Sequence, residues 1–269
     1  MLFALYRTQR GIGEPFGCDR IVRMINRLQQ LYLWACERLY AELAWSYDLV
    51  SWLVSWGAWR QWRVAALDYV RGPRVLEIGF GTGTLLATLV ERGYQVMGLE
   101  YCAAMHRETA KKLTRLGLAA PRVQAPAQAM PFVAGSFDTI IATFPSAYIV
   151  DPATLRECAR LLRAPSAQEN IGCTRVAAAE LVEAAKPRLR PMNNEENHGR
   201  LVIVMGVSAP GSPLSWLMRL FFPRQELAAP STDDPLLERF VAAGLAARHA
   251  TVAQGHHCVH LIVAEPRLP

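Results

Sequence analysis

The chain has 269 residues, 52% of them hydrophobic and 19% charged, with no repeat or low-complexity tract. That composition supplies a sizeable core and excludes a disordered polypeptide. Its 29 Lys and Arg against 23 Asp and Glu leave a net charge of +6, but no run of five or more basic residues marks a nucleic-acid surface, so no nucleic-acid partner is expected. Six cysteines, Cys18, Cys36, Cys102, Cys158, Cys173 and Cys258, include no C-x-x-C pair and no histidine at zinc-ligand spacing. They read as reduced thiols of a cytosolic protein, with no metal site. The apolar part of residues 1–7 is too short for a secretory signal, and residues 43–58, interrupted by Asp48, are too short for a membrane span.

Residues 1–17 read as irregular. Over residues 19–45, Ile21, Met24, Ile25, Leu28, Leu31, Ala35, Leu39 and Leu43 recur at helical spacing. This predicts a helical lid, and residues 1–44 are taken as a helical extension. Arg20, Arg23 and Arg27 on one side, with Tyr32, Trp34 and Tyr40 near the other, would also suit a peripheral membrane contact. Residues 45–63 then hold five of the seven tryptophans: Trp45, Trp52, Trp56, Trp59 and Trp62.

The next stretch organises the chain. Val75 to Ile78 form an apolar run, Gly79, Gly81 and Gly83 follow at alternate positions, and Leu85, Leu86, Leu89 and Val90 continue at helical spacing. Strand, glycine turn and helix make a nucleotide-binding corner, with free N–H groups at the helix start. The dinucleotide pattern is G-x-G-x-x-G; here the third glycine comes one residue early. Glu77 stands two residues before the first glycine. A carboxylate there repels a pyrophosphate and suits a cationic group. Residues 95–100 predict the second strand, and Glu100, 21 positions after Gly79, has the spacing of an acid that accepts ribose hydroxyls.

A helix is expected over 103–116, a short strand over 122–125 and a fully buried strand over 138–144, ending in Pro145-Ser146-Ala147-Tyr148. Asp151-Pro152 caps the next helix. An excursion over 164–199 follows, with one helix at 174–185. A strand at 201–205, an apolar helix at 213–222, a helix at 236–243 and an antiparallel pair at 248–253 and 258–264 complete the chain. Alternation puts His256 and His260 of that pair on one face.

The glycine corner with its preceding acid resembles motif I, E/D-x-G-x-G-x-G, of the class I S-adenosylmethionine-dependent methyltransferases. Residues 126–138 resemble the same family's G-D-A-x-x-L-P-F-x-x-x-x-F-D, except that Pro126 replaces the Asp that would bind the adenine. The Tyr47-Asp48 pair and the aromatic/basic cluster after it resemble members that methylate ubiquinone and menaquinone precursors or phospholipids. The resemblance implies an α/β, Rossmann-like doubly wound sheet of seven strands, the last antiparallel, over residues 45–269. It implies S-adenosylmethionine as cofactor, held by Glu77, Gly79, Phe80, Gly81, Thr82, Gly83, Glu100, Thr143 and Phe144. Tyr47 would cover it, Tyr101 would lie along the adenine, and Ala127 and Gln128 would serve where Pro126 does not. Tyr148 is the polar candidate nearest the reaction, and the acceptor is expected to be a small lipophilic molecule or lipid. Two alternatives stay open: a non-catalytic cofactor-binding module, and an NAD-dependent oxidoreductase, against which Glu77 and the early Gly83 speak.

Overall fold

In the computed structural model, the described residues are Trp52, 57–163, 198–208, 234–255 and 257–267. The helices predicted over 19–45, 174–185 and 213–222, together with Tyr47, lie outside them. The described chain opens with α1 (Trp59–Val64), which runs into a 3₁₀ helix at Ala65–Tyr69. Then β1 (Arg74–Ile78), α2 (Thr84–Glu91), β2 (Gln95–Glu100), α3 (Ala103–Leu116), β3 (Arg122–Gln124) and β4 (Thr139–Thr143) alternate. A 3₁₀ helix at Ala147–Val150, α4 (Pro152–Leu161), β5 (Arg200–Ser208), α5 (Pro235–Ala242), β6 (Leu245–Gln254) and β7 (His257–Pro266) complete it.

The strands form one seven-stranded sheet in the order β3-β2-β1-β4-β5-β7-β6. β1 to β5 are mutually parallel, and β7 runs antiparallel to both β5 and β6. This is the doubly wound sheet with an antiparallel last strand that the sequence implies. The order reverses between β1 and β4, which places a ligand crevice at their carboxyl ends.

Side-chain parity divides the core in two. Leu76, Ile78, Ile140, Ala142, Leu201 and Ile203 pack on one face against Leu155, Cys158 and Leu161 of α4 and Phe240 of α5. Val75, Ile141, Val202 and Val204 pack on the other against α1 (Trp62) and α2 (Leu85, Leu86, Leu89). Each fully buried side chain of this size contributes about 1.5–3 kcal/mol. Glu77 shares the parity of Val75, so it points to the α1 face. The Asp151-Pro152 start caps its helix as expected, the Asp151 carboxylate accepting from Ala153 N–H at 2.7 Å, and Asp234 caps α5 in the same way, accepting from Leu236 N–H at 2.8 Å.

β5 and the closing hairpin extend beyond their expected ends. β6 reaches back to Leu245 and β7 forward to Pro266. Ala246 and Ala247 carry weak strand propensity; ladder pairing with Glu265 and Ala264 of β7 recruits them. Among the described residues no helix is long and apolar enough to cross a membrane.

Candidate functional site

The glycine corner turns because Gly79, Gly81 and Gly83 all take positive φ, at 69°, 54° and 72°. Two of them are also approached too closely for a side chain. A Cβ on Gly79 would stand 2.5 Å from Tyr148 Oη, and one on Gly83 2.5 Å from Thr109 Cγ2. α3 holds the loop from behind: Thr109 Oγ1 donates to Gly81 O at 2.8 Å, and Lys112 Nζ donates to Thr84 Oγ1 at 2.9 Å and Thr82 Oγ1 at 3.3 Å. Phe80 turns the other way. Its ring is buried against Gly98 and meets His106 edge-on at 4.9 Å, so it can offer a ligand only its main chain.

The two acids do different work. Glu100 accepts from Gly81 N–H at 3.0 Å and Cys102 N–H at 2.9 Å, which fastens the glycine loop to the tip of β2. Glu77 is 1% exposed, and neither carboxyl oxygen has a hydrogen-bond partner. Burial pushes its pKa up to about 8; Arg63 pulls it down in part, and Glu100 raises it further. A buried carboxyl without a partner is costly. The ammonium of S-adenosylmethionine is the cationic donor it lacks, and the residues around it therefore fit that cofactor.

Tyr148 lies over Gly79, within the field of both acids. Burial, then Glu100, Cys158 and Glu77, holds its phenol above its ordinary range. At neutral pH it is a hydrogen-bond donor and no base. On the far side, the loop after β3 carries Ala127 buried and Gln128 exposed. Glu157 of α4 accepts from Met130 N–H at 2.8 Å, and Arg160 donates to Met130 O and Phe132 O at 3.0 and 2.7 Å, so α4 braces that loop. Tyr101 is 73% exposed, with only its carbonyl held, by Gln124 at 3.1 Å.

At the carboxyl end of β4, Thr143 is buried and Phe144 takes φ 50°. A bulky residue there is strained, and such strain gathers at functional positions. Its ring stacks on Trp59 of α1, with centroids 4.5 Å apart at 21°. Trp62 closes edge-on to Phe144 at 6.5 Å and to His257 at 5.3 Å, and the Arg63 guanidinium lies 5.3 Å from the centre of the Trp59 ring.

The structure thus brings Glu77, the three glycines, Thr82, Glu100, Thr143, Phe144 and Tyr148 to one edge of the sheet. Tyr101 and Gln128 stand at its exposed margin. Sequence reasoning missed Arg63, Thr109 and Lys112 as site residues. Arg63 lay in the aromatic/basic cluster, a usable signal; Thr109 and Lys112 carry none, because their role comes from a helix packing back on the loop.

A family model described as a methyltransferase domain matches residues 75–165. The demethylmenaquinone methyltransferase of Roseiflexus castenholzii is 30% identical over 234 residues, 81% of this chain and 93% of that protein. That of Thermus thermophilus is 35% identical over 111 residues, 39% of this chain and 50% of its own length. A ubiquinone/menaquinone biosynthesis C-methyltransferase of Geotalea uraniireducens is 30% identical over 138 residues, 48% and 58% respectively. The chain thus spans only about half the length of the last two relatives it matches. With the glycine corner, Glu77 and the sheet order, the match across nearly the whole Roseiflexus protein establishes that the chain belongs to the class I S-adenosylmethionine-dependent methyltransferases.

Proposed function

We propose that this chain transfers a methyl group from S-adenosylmethionine to a small lipophilic aromatic acceptor, a demethylated quinone precursor in its reduced form. The observation that carries this reading is the Trp59–Phe144 stack at the carboxyl end of β4, with Phe144 held at φ 50°. Flat, apolar rings there suit a flat, apolar acceptor. The names of the relatives, which are demethylmenaquinone and ubiquinone/menaquinone methyltransferases, support the same class.

The cofactor supplies an electrophilic methyl group on a sulfonium. With the cofactor bound, a ring carbon of the acceptor would take the methyl as the sulfur–methyl bond breaks, leaving S-adenosylhomocysteine, and the displaced ring proton would pass to a water molecule. The chain has little covalent work to do: it must align the two reactants and exclude water. Glu77 and the glycine corner hold the cofactor side. The aromatic wall orients the acceptor, and the Tyr148 hydroxyl offers it a hydrogen bond.

The test is incubation with methyl-labelled S-adenosylmethionine and either chemically reduced demethylmenaquinone or phosphatidylethanolamine vesicles. Label is expected in the quinone fraction. Label confined to the phospholipid would overturn the quinone reading. F144A and W59A are expected to lower kcat/KM for the quinol about tenfold or more, a loss of about 1.4 kcal/mol or more.

A further inference from the structure

β5 does not stop where β4 does. Val204 pairs with Thr143, the last residue of β4, and β5 runs on to Ser208 with β7 and β6 beside it. The three strands form a wall past the carboxyl end of β4, next to Phe144, whose N–H donates to Val204 O at 2.9 Å. The two faces of this wall differ. Val207, Val252 and Val259 pack on the α1 side. Gly206, Ser208, Thr251, Cys258 and His260 take the opposite parity, on the face where Tyr148 packs. A bulge between Val204 and Gly206 shifts the register there, and bulges beside active sites re-aim side chains. Ser208 is exposed, and its Oγ lies 2.8 Å from Nε2 of the half-buried His260. Gly206, opposite His260, leaves the floor between them open: no described residue would come within 4 Å of a Cβ there.

We propose that Ser208 and His260 form a proton relay for the acceptor, in which Ser208 receives one ring hydroxyl and hands a proton on to the imidazole. The proposal rests on the quinol reading above and deepens it. A reduced quinone carries two hydroxyls on opposite sides of its ring. Tyr148 offers a donor to one; the Ser208–His260 pair, on the same face of the sheet, offers an acceptor to the other. With the imidazole proton on Nδ1, Nε2 accepts from the Ser208 hydroxyl, and Ser208 Oγ is left to accept from the acceptor. The acceptor's hydroxyl proton moves to Ser208 as the Ser208 proton moves to Nε2, giving an aryloxide and an imidazolium. The ring carbon, now richer in electrons, takes the methyl. The ring proton leaves to water, and the imidazolium returns its proton along the same path to the oxygen, so one proton is released in all. Burial, then the neighbouring His249, holds His260 below its ordinary 6.5, so it is neutral and able to accept at pH 7. His249 of β6 is itself held by Asp234 at the start of α5, at 2.8 Å. Cys258 is the other titratable group of β7 on this face.

The experiment is single-turnover methylation of chemically reduced demethylmenaquinone across the histidine pH range, with S-adenosylmethionine saturating so that titration of Glu77 stays out of the profile. The wild-type rate should fall as pH drops through the imidazole's range below 6.5. H260Q should lose about 100-fold or more of the rate above that range, and the acid limb with it. S208A should lose about as much. The S208A and H260Q double variant should lose no more than the larger single loss, because the two residues act as one unit. Affinity of H260Q for the reduced quinone, titrated with S-adenosylhomocysteine bound, should stay within about threefold of wild type. An acid limb that survives in H260Q would overturn the relay. So would single losses of less than about threefold, or a loss that appears in affinity alone. The wild-type pH profile tests the same point without any variant: a flat profile through the imidazole range is also against the relay. A wild type that leaves the quinone unlabelled would instead overturn the quinol reading, and the relay with it.

Discussion

Glu77 couples the stability of the free protein to its readiness for cofactor. Its folded pKa of about 8 lies above the ordinary 4.5. The folded state therefore keeps a proton that the unfolded chain releases. That contribution to stability is full below about pH 4.5 and is lost as pH rises toward about 8, at ~1.4 kcal/mol per pH unit. Glutamine keeps the shape and cannot ionise. The apo E77Q variant should therefore melt above wild type at pH 8, with the gap closing toward pH 5. Saturating S-adenosylhomocysteine should reverse the order, because only the ionised carboxylate pairs with its ammonium. Thermal melts across pH, with and without ligand, check this; a gap that does not change with pH would refute it. The sequence marked Glu77 as the acid of the site by its place before Gly79. Its lack of any partner appears only when the neighbours fold around it.

At the scale of elements, the glycine corner depends on α3 as much as on its own glycines. Thr109 does two things: its hydroxyl holds Gly81 O, and its methyl occupies the space a Cβ on Gly83 would need. G83A should cost about 1–2 kcal/mol for the left-handed backbone alone, with a steric cost added. T109S deletes the methyl and keeps the hydroxyl, so it should return part of that steric cost. A double-mutant cycle in urea should give a coupling on the order of 1 kcal/mol. Additive losses would show that Thr109 does not press on the corner. The spacing of the three glycines is readable from the sequence because a tight turn is local. Thr109 is 26 positions beyond Gly83, and nothing in its immediate neighbours marks it.

Over the whole molecule, the two edges of the sheet are specialised. The carboxyl edge carries Glu77, Glu100, Phe144 and Tyr148. The amino edge carries ion pairs: Glu265 receives Arg200 at 2.6 Å, His198 at 2.7 Å and Arg71 at 3.4 Å, and Asp138 receives Arg74 at 2.7 Å. Burial would raise the Glu265 carboxyl, but hydrogen bonds from His198 and Arg200 outweigh it and hold it below its ordinary range. E265Q should destabilise the protein by about 1–2 kcal/mol near pH 7, because the pairs are partly exposed. That loss should shrink as pH falls through the carboxylate range, and S-adenosylhomocysteine affinity should not change. A shift in affinity would mean that the two edges communicate. The excursion after α4 also leaves and returns at the amino edge, where Gly199 N–H donates to Arg163 O at 2.8 Å.

The sequence by itself determined the order of the elements among the described residues, the glycine corner and the chemistry of its ligand. Each of these is written in local pattern: an apolar run, glycines at fixed spacing, a helix cap, an acid at a strand end. It also determined that Pro126 stands where an acid of the adenine loop is expected. Tertiary structure decided which side chains meet. The reason is that parity and packing, rather than neighbours in the chain, bring Arg63 onto the Glu77 face, set Trp59 on Phe144 and brace the loop at Met130 with Glu157 and Arg160. Phe144 shows the division most clearly. Its sequence reads as the last residue of a buried strand, and only the fold turns it to positive φ and stacks it on Trp59 at the end of β4.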